Sequence, residues 1–165
     1  MTKRSWLLGA AGTIAFAAMR WSSATDAAPA EKFEIEKSDE EWRRLLTPAQ
    51  YDILRKHGTE RPGTSPLNKE KRKGTFACAG CDLPLFSSDT KYDSGTGWPS
   101  FWKPLDGALG MSTDYILLMP RTEVHCTRCG GHLGHRFEDG PPPTGLRYCI
   151  NGVALAFKPD APKAA

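Results

Sequence analysis

No stretch of this sequence reaches the roughly 20 apolar residues that an ordinary membrane-crossing helix needs. Charge of one sign is also lacking: 22 Lys and Arg stand against 19 Asp and Glu, a formal +3. Lys3, Arg4, Arg20 and Asp26 lie in the first 30 residues, and without them the net charge is about +1. A nucleic-acid reader normally carries a basic stripe. The one basic cluster, residues 69–73, is short and broken by Glu70, so it reads as a solvated loop and no nucleic-acid partner is expected. There is no internal repeat of useful period, which excludes solenoids and propellers, and no flavin or nicotinamide site is evident. Cysteine is scarce and odd in number, with five in 165 residues.

What is present is turn chemistry around a core. Sixteen Gly and 13 Pro, with 39% hydrophobic and 10% aromatic residues, point to a turn-rich, mostly β domain. Lys3 and Arg4 precede small and apolar residues over 6–19, followed by Ser22-Ser23-Ala24 and Ala28-Pro29-Ala30. That is the order of a secretory signal. Residues 2–8 also resemble a twin-arginine export signal with Lys in place of the first Arg. The expected organisation is a cleaved leader over 1–30, a linker over 31–37 and a domain over 38–160, exported to a bacterial periplasm with no stable membrane partner.

Ser38 with Glu41 forms a capping box that opens a short helix through Trp42, Leu45 and Leu46. Thr47-Pro48-Ala49-Gln50 opens a second, with Pro at the first helical position, which carries Tyr51, Ile53 and Leu54 and stops at Gly58. Beyond residue 74 short strands are expected over 74–77, 111–119, 122–125, 146–150 and 153–157.

Four cysteines form two CxxC units, Cys78-Ala-Gly-Cys81 and Cys126-Thr-Arg-Cys129, with 44 residues between them. Each unit turns the chain so that both sulfurs face one way, and two such knuckles supply the four thiolates of a closed, structural Zn2+ site. Gly130 follows the second knuckle, where positive φ helps close the turn. Two disulfides or a rubredoxin-like iron are the competing readings of the same four residues.

The fifth, Cys149, lies in Arg147-Tyr148-Cys149-Ile150-Asn151, whose period of two puts Arg147, Cys149 and Asn151 on one strand face. A neighbouring cation lowers a thiol pKa, so Cys149 is expected as a reactive thiolate, although a free cysteine is often only a small buried hydrophobe. His132 and His135, in Gly131-His132-Leu133-Gly134-His135, stand ahead of it with Asp139 in a Gly-rich segment, where imidazoles could donate protons near neutral pH. His57 and His125 stand alone. Trp98 and Trp102, in a Gly/Pro turn, are either a core corner or an exposed apolar wall.

These motifs together resemble the B class of methionine sulfoxide reductases, specific for the R epimer. The resemblance runs from about residue 42 to 159 and is carried by Leu46-Thr47-Pro48 with Gln50-Tyr51, Gly58-Thr59-Glu60 and both CxxC units. It continues through Lys91-Tyr92-Asp93-Ser94-Gly95, Gly97-Trp98-Pro99-Ser100-Phe101, the His132/His135 segment and Arg147-Tyr148-Cys149-Ile150-Asn151. It implies two twisted antiparallel sheets with short N-terminal helices outside, pinned by a four-cysteine zinc. It also implies Cys149 as nucleophile, Trp98 as the wall for the substrate methyl, and His132, His135 and Asn151 around the sulfoxide. Arg147 and Asp139 match the polar surround of the cysteine, and Cys78, Cys81, Cys126 and Cys129 the zinc ligands. The implied substrate is oxidised methionine, in proteins or as the free amino acid, and the implied donor an external thiol or a thioredoxin-like reductant. Two departures stand out: Thr96 occupies the position where many relatives carry a resolving cysteine, and Gly152 that where Ser is common. A non-catalytic zinc-pinned binding module is the rival reading, but it would need neither Cys149 nor the paired histidines.

Overall fold

Two capping boxes open the fold in the computed structural model, which describes residues 32–115 and 119–161. Glu41 N–H donates to Ser38 Oγ at 3.2 Å while Ser38 N–H donates back to Glu41 Oε2 at 2.8 Å, starting α1 (Asp39–Leu45). Thr47 and Gln50 repeat the exchange at 3.2 and 3.0 Å and start α2 (Pro48–Lys56). These bonds satisfy first-turn N–H groups that have no helical partner. Trp42, Tyr51, Ile53 and Leu54 bury the inward faces. The left-handed residue that ends α2 is His57, with φ +55°, one position ahead of the expected Gly58.

The remainder forms two antiparallel sheets. The smaller runs in the order β2 (Pro84–Ser87), β1 (Gly74–Cys78), β9 (Leu155–Pro159). The larger runs β3 (Lys91–Tyr92), β4 (Ser100–Phe101), β8 (Arg147–Ile150), β7 (His132–Phe137), β6 (Arg121–Cys126), β5 (Leu109–Asp114). The sheets share an aromatic core: Phe86 of β2 stacks on Phe101 of β4 at 4.2 Å between ring centroids, and Phe76 of β1 meets Phe101 edge-on at 5.0 Å. Val124, Leu133, Tyr148 and Ile150 complete the buried face of the larger sheet. The fold is mostly β with two helices, as the sequence predicts.

Four local expectations change. The strand expected over 153–157 begins only at Leu155, because Glu60 takes the N–H groups of Gly152 and Val153 at 2.6 and 3.1 Å and folds Gly152–Ala154 into a 3-10 turn. The strand expected over 111–119 starts earlier, at Leu109, and ends at Asp114; residues 116–118 lie outside the described residues. The Gly-rich histidine segment is itself a strand, β7, paired on both sides. Part of the expected linker is docked: Phe33 lies edge-on to His125 at 5.8 Å and Ile35 N–H donates to Arg128 C=O at 2.9 Å. The export leader expected over 1–30 lies outside the described residues.

Candidate active site and metal centre

One transverse row of residues crosses the larger sheet. Ser100 on β4 is the register partner of Cys149 on β8, Cys149 that of His135 on β7, His135 that of Glu123 on β6, and Glu123 that of Ser112 on β5. Directly opposed residues of antiparallel strands share a sheet face, so five polar side chains from five strands stand in line. One step along, Phe137 pairs with Arg147 and Arg121 with Asp114.

Cys149 opens into a cleft of about 250 Å³ lined also by Thr59, Trp98, Arg121, His135, Phe137 and Asn151. Trp98 is held by its indole N–H, which donates to Glu60 C=O at 3.1 Å. It is therefore a wall of this cleft rather than a core corner. Asn151 is anchored twice, accepting from Glu60 N–H at 3.0 Å and donating to Leu133 C=O at 3.0 Å, so residues 59 and 60 are fixed against the end of β8. Arg147 makes a bidentate pair with Asp139, both bonds 2.8 Å, and stacks over Phe137 at 4.3 Å. Thr96 Oγ1 lies 3.9 Å from Cys149 Sγ and continues through Ser94 to Ser100 in hydroxyl contacts of 2.8 and 2.7 Å.

The expected low thiol pKa at Cys149 is not found. Burial pushes the thiol above its ordinary value, and the Thr96 hydroxyl and the Arg147 guanidinium only partly oppose that shift. The cation expected to win is already neutralised by Asp139. His135 moves the other way: burial lowers its pKa, against a hydrogen bond to Asp114 Oδ2 at 2.7 Å that raises it.

His132 is buried behind His135, with ring centroids 5.5 Å apart, and lines an adjoining cleft rather than the one that holds Cys149. Two residues three apart on a regular strand point to opposite faces. Here Val124 pairs with Gly134 and His125 with His132, so Leu133 is an extra residue that bulges β7. The bulge brings His132 Nδ1 to Glu123 Oε1 at 2.7 Å, on the same side as His135. Sequence reasoning gave no role to Glu60, although it stands in the Gly58-Thr59-Glu60 motif, and missed Asp114, Arg121, Glu123 and Phe137, which sit in no quoted motif; their chain separations hid them.

The two knuckles have the same hydrogen bonds. Cys78 N–H donates to Leu83 C=O at 2.8 Å and Cys126 N–H to Gly131 C=O at 3.0 Å; Asp82 and Gly130 N–H return to the first cysteine of each at 2.8 Å. The residue that follows each CxxC unit has positive φ, +65° at the expected Gly130 and +64° at Asp82. The four sulfurs converge within 4.8 Å of one another, with Cys78–Cys129 at 3.8 Å and Cys81–Cys126 at 3.4 Å. A tetrahedral ion with bonds of about 2.3 Å to sulfur sets its sulfurs about 3.8 Å apart, so the donor set fits a metal ion. Crowding also makes the thiols compete: contact with Cys126 and Cys129 pushes Cys78 up, while the thiols of Cys129 and Cys78 pull Cys126 down. Deprotonated, the four sulfurs at this spacing could hold a cation among them.

Residues 46–159 match the family model described as the SelR domain. The chain is 58% identical over 127 residues to the peptide methionine sulfoxide reductase MsrB of Agrobacterium fabrum, covering 76% of this chain and 94% of that one. It is 59% identical over 127 residues to the protein of that name from Pseudomonas putida strain W619, covering 76% and 96%. For that of Leptospira interrogans the identity is 56% over 129 residues, covering 78% and 98%. A row of cysteine, histidine and carboxylate beside a Trp wall, a four-sulfur knot and this similarity over most of the chain agree, and the chain belongs to the SelR-domain family of peptide methionine sulfoxide reductases.

Proposed function

We propose that the chain is a peptide-methionine (R)-S-oxide reductase, with Cys149 as nucleophile. The supporting observation is the single small cleft in which Cys149, His135 and Trp98 meet. A methyl sulfoxide has an apolar arm and a polar oxygen, and the cleft offers an indole wall and an imidazole for them. The Cys149 sulfur attacks the sulfoxide sulfur while His135 protonates the oxygen. With its Nε2 engaged by Asp114, Nδ1 is the nitrogen left to do so. Transfer of that oxygen to Cys149 releases the thioether and leaves a sulfenic acid. Two equivalents of an external thiol, or a thioredoxin-like dithiol, return Cys149 to the thiol and yield one disulfide and one water.

Asn151 and Trp98 orient the substrate, His132 supports His135 from behind, and the Arg147–Asp139 pair braces the cysteine strand. The ion held by Cys78, Cys81, Cys126 and Cys129 is Zn2+, which would supply cross-linking and no chemistry, since a closed four-thiolate shell has no open position. Export by the leader over 1–30 would make oxidised envelope proteins the substrate. The test is turnover of the separated epimers of methionine sulfoxide with a thiol donor. The R epimer should be consumed, the S epimer left, and Cys149→Ser inactive; consumption of the S epimer or turnover by Cys149→Ser overturns the assignment.

A further inference from the structure

We propose that His57, Glu123 and His132 form a second, solvent-reachable site for a borderline divalent transition-metal ion such as Zn2+, whose occupation shuts down the adjoining cysteine site. Glu123 points its carboxylate in two directions. One oxygen accepts from Ser112 Oγ at 2.5 Å, while Oε1 faces two imidazole nitrogens, His132 Nδ1 at 2.7 Å and His57 Nδ1 at 3.1 Å. The three potential ligand atoms lie within 4.8 Å of one another. For bonds of about 2.0–2.2 Å, neighbouring donors around an ion stand about 2.9–3.5 Å apart, so the two edges from Glu123 to the imidazoles need only a few tenths of an ångström of adjustment. His57, at the end of α2 and half-exposed, can supply it.

Three further features favour an ion over a plain hydrogen-bonded trio. Two imidazole nitrogens from separate elements converge on one carboxylate oxygen. Ser112 orients the carboxylate from behind, as partners of metal-ligating carboxylates do. His132 is 98% buried on side-chain area and its Nε2 meets no partner among the described residues, so its one polar contact there is made by the Nδ1 that faces Glu123. Two imidazoles and a carboxylate suit zinc, nickel or copper better than magnesium or calcium. The ligands come from α2, β6 and β7 and face a cleft of about 510 Å³, which leaves room for water on the ion.

That cleft shares Thr59, Arg121 and His135 with the one that holds Cys149. A dication on His132 would stand beside His135, at 5.5 Å from ring to ring. It would oppose the imidazolium that must protonate the sulfoxide oxygen. The binding claim stands apart from the reductase reading; the inhibition claim rests on it.

The binding arm starts from Cys149→Ser with its four-cysteine site already loaded, so that the reactive sulfur cannot serve as a ligand. Titration with Zn2+, read by calorimetry and by metal content after gel filtration, should show a second saturable equivalent per chain. His57→Asn, which tolerates the left-handed backbone, and Glu123→Gln should each weaken it about tenfold or more while the first equivalent stays. In the inhibition arm, prereduced wild type is given methionine sulfoxide in a single turnover without thiol donor, which would chelate the ion. Zn2+ should slow methionine release about tenfold or more, and His57→Asn should resist, each protein being compared with its own rate without added ion. Absence of a second equivalent, or one that both substitutions leave intact, overturns the site. A second equivalent without slowed turnover overturns the switch.

Discussion

At Cys149 the neighbouring cation is outweighed by burial, and at His135 burial outweighs the neighbouring carboxylate. The thiol therefore titrates above its ordinary value and the imidazole below its own. If turnover needs a thiolate and an imidazolium, the single-turnover rate should be flat between an acid limb below about pH 6.5 and an alkaline limb above about pH 8.5. Raising pH across that plateau gains thiolate and loses imidazolium in equal measure. Asp114→Asn removes an influence that raises the imidazole pKa, so the acid limb should move to lower pH. A limb that moves to higher pH would remove Asp114 from that role. Gly152 carries a different constraint. A Cβ there would lie 1.9 Å from Ser65 Oγ and 2.5 Å from Ser65 Cβ, so Ser65 fills the space a side chain would take. Gly152→Ser should cost about 1–3 kcal/mol in urea unfolding, as overpacking does. Adding Ser65→Gly should recover part of it; no recovery would show that the clash lies elsewhere.

At the scale of elements, what was legible in the sequence was local. The Ser38/Glu41 capping box, the helix start at Thr47-Pro48 and both CxxC knuckles are defined by residues within a few positions, and each forms as expected. The alternation around Cys149 likewise gives β8. What was not legible depends on long-range partners. Glu60 shortens the start of β9 from more than 90 residues away, and the bulge at Leu133 puts His132 and His135 on one side against the period of two. A Gly-rich segment such as β7 carries a weak strand signal, yet it lies between two partners that supply its hydrogen bonds. Trp98 could be read either way until the Glu60 carbonyl fixed its indole. Because the knuckles sit at the end of β1 and the end of β6, the sulfur knot ties one sheet to the other. Cys126→Ser should lose the ion and lower Tm by about 10 °C or more, since metal binding here is folding free energy. A metal-free wild type with two disulfides would overturn that.

For the molecule as a whole, the distribution of sulfur decides how the catalytic cycle can close. Four of the five thiols are gathered in the knot, where each faces the others, and the fifth opens into its own cleft. Its near neighbour is a hydroxyl, Thr96 Oγ1, at 3.9 Å, at the position the family resemblance assigns to a resolving cysteine. A hydroxyl cannot attack a sulfenic acid to form a disulfide, and the four sulfurs of the knot are held toward one another. Reduced enzyme given one equivalent of methionine sulfoxide without donor should therefore stop at a sulfenic acid on Cys149, trapped as a dimedone adduct and located by peptide mass. Left without donor it should pass on to sulfinic acid under further oxidant. A small thiol, or the cysteine of a redox partner, should restore it by direct attack. Thr96→Cys supplies the missing sulfur close to the spacing at which a small movement closes a disulfide. After one turnover that variant should hold a disulfide between the introduced thiol and Cys149, and lose the dimedone adduct. A disulfide between Cys149 and any of Cys78, Cys81, Cys126 or Cys129 in the wild type would show instead that the knot opens during turnover and takes part in it.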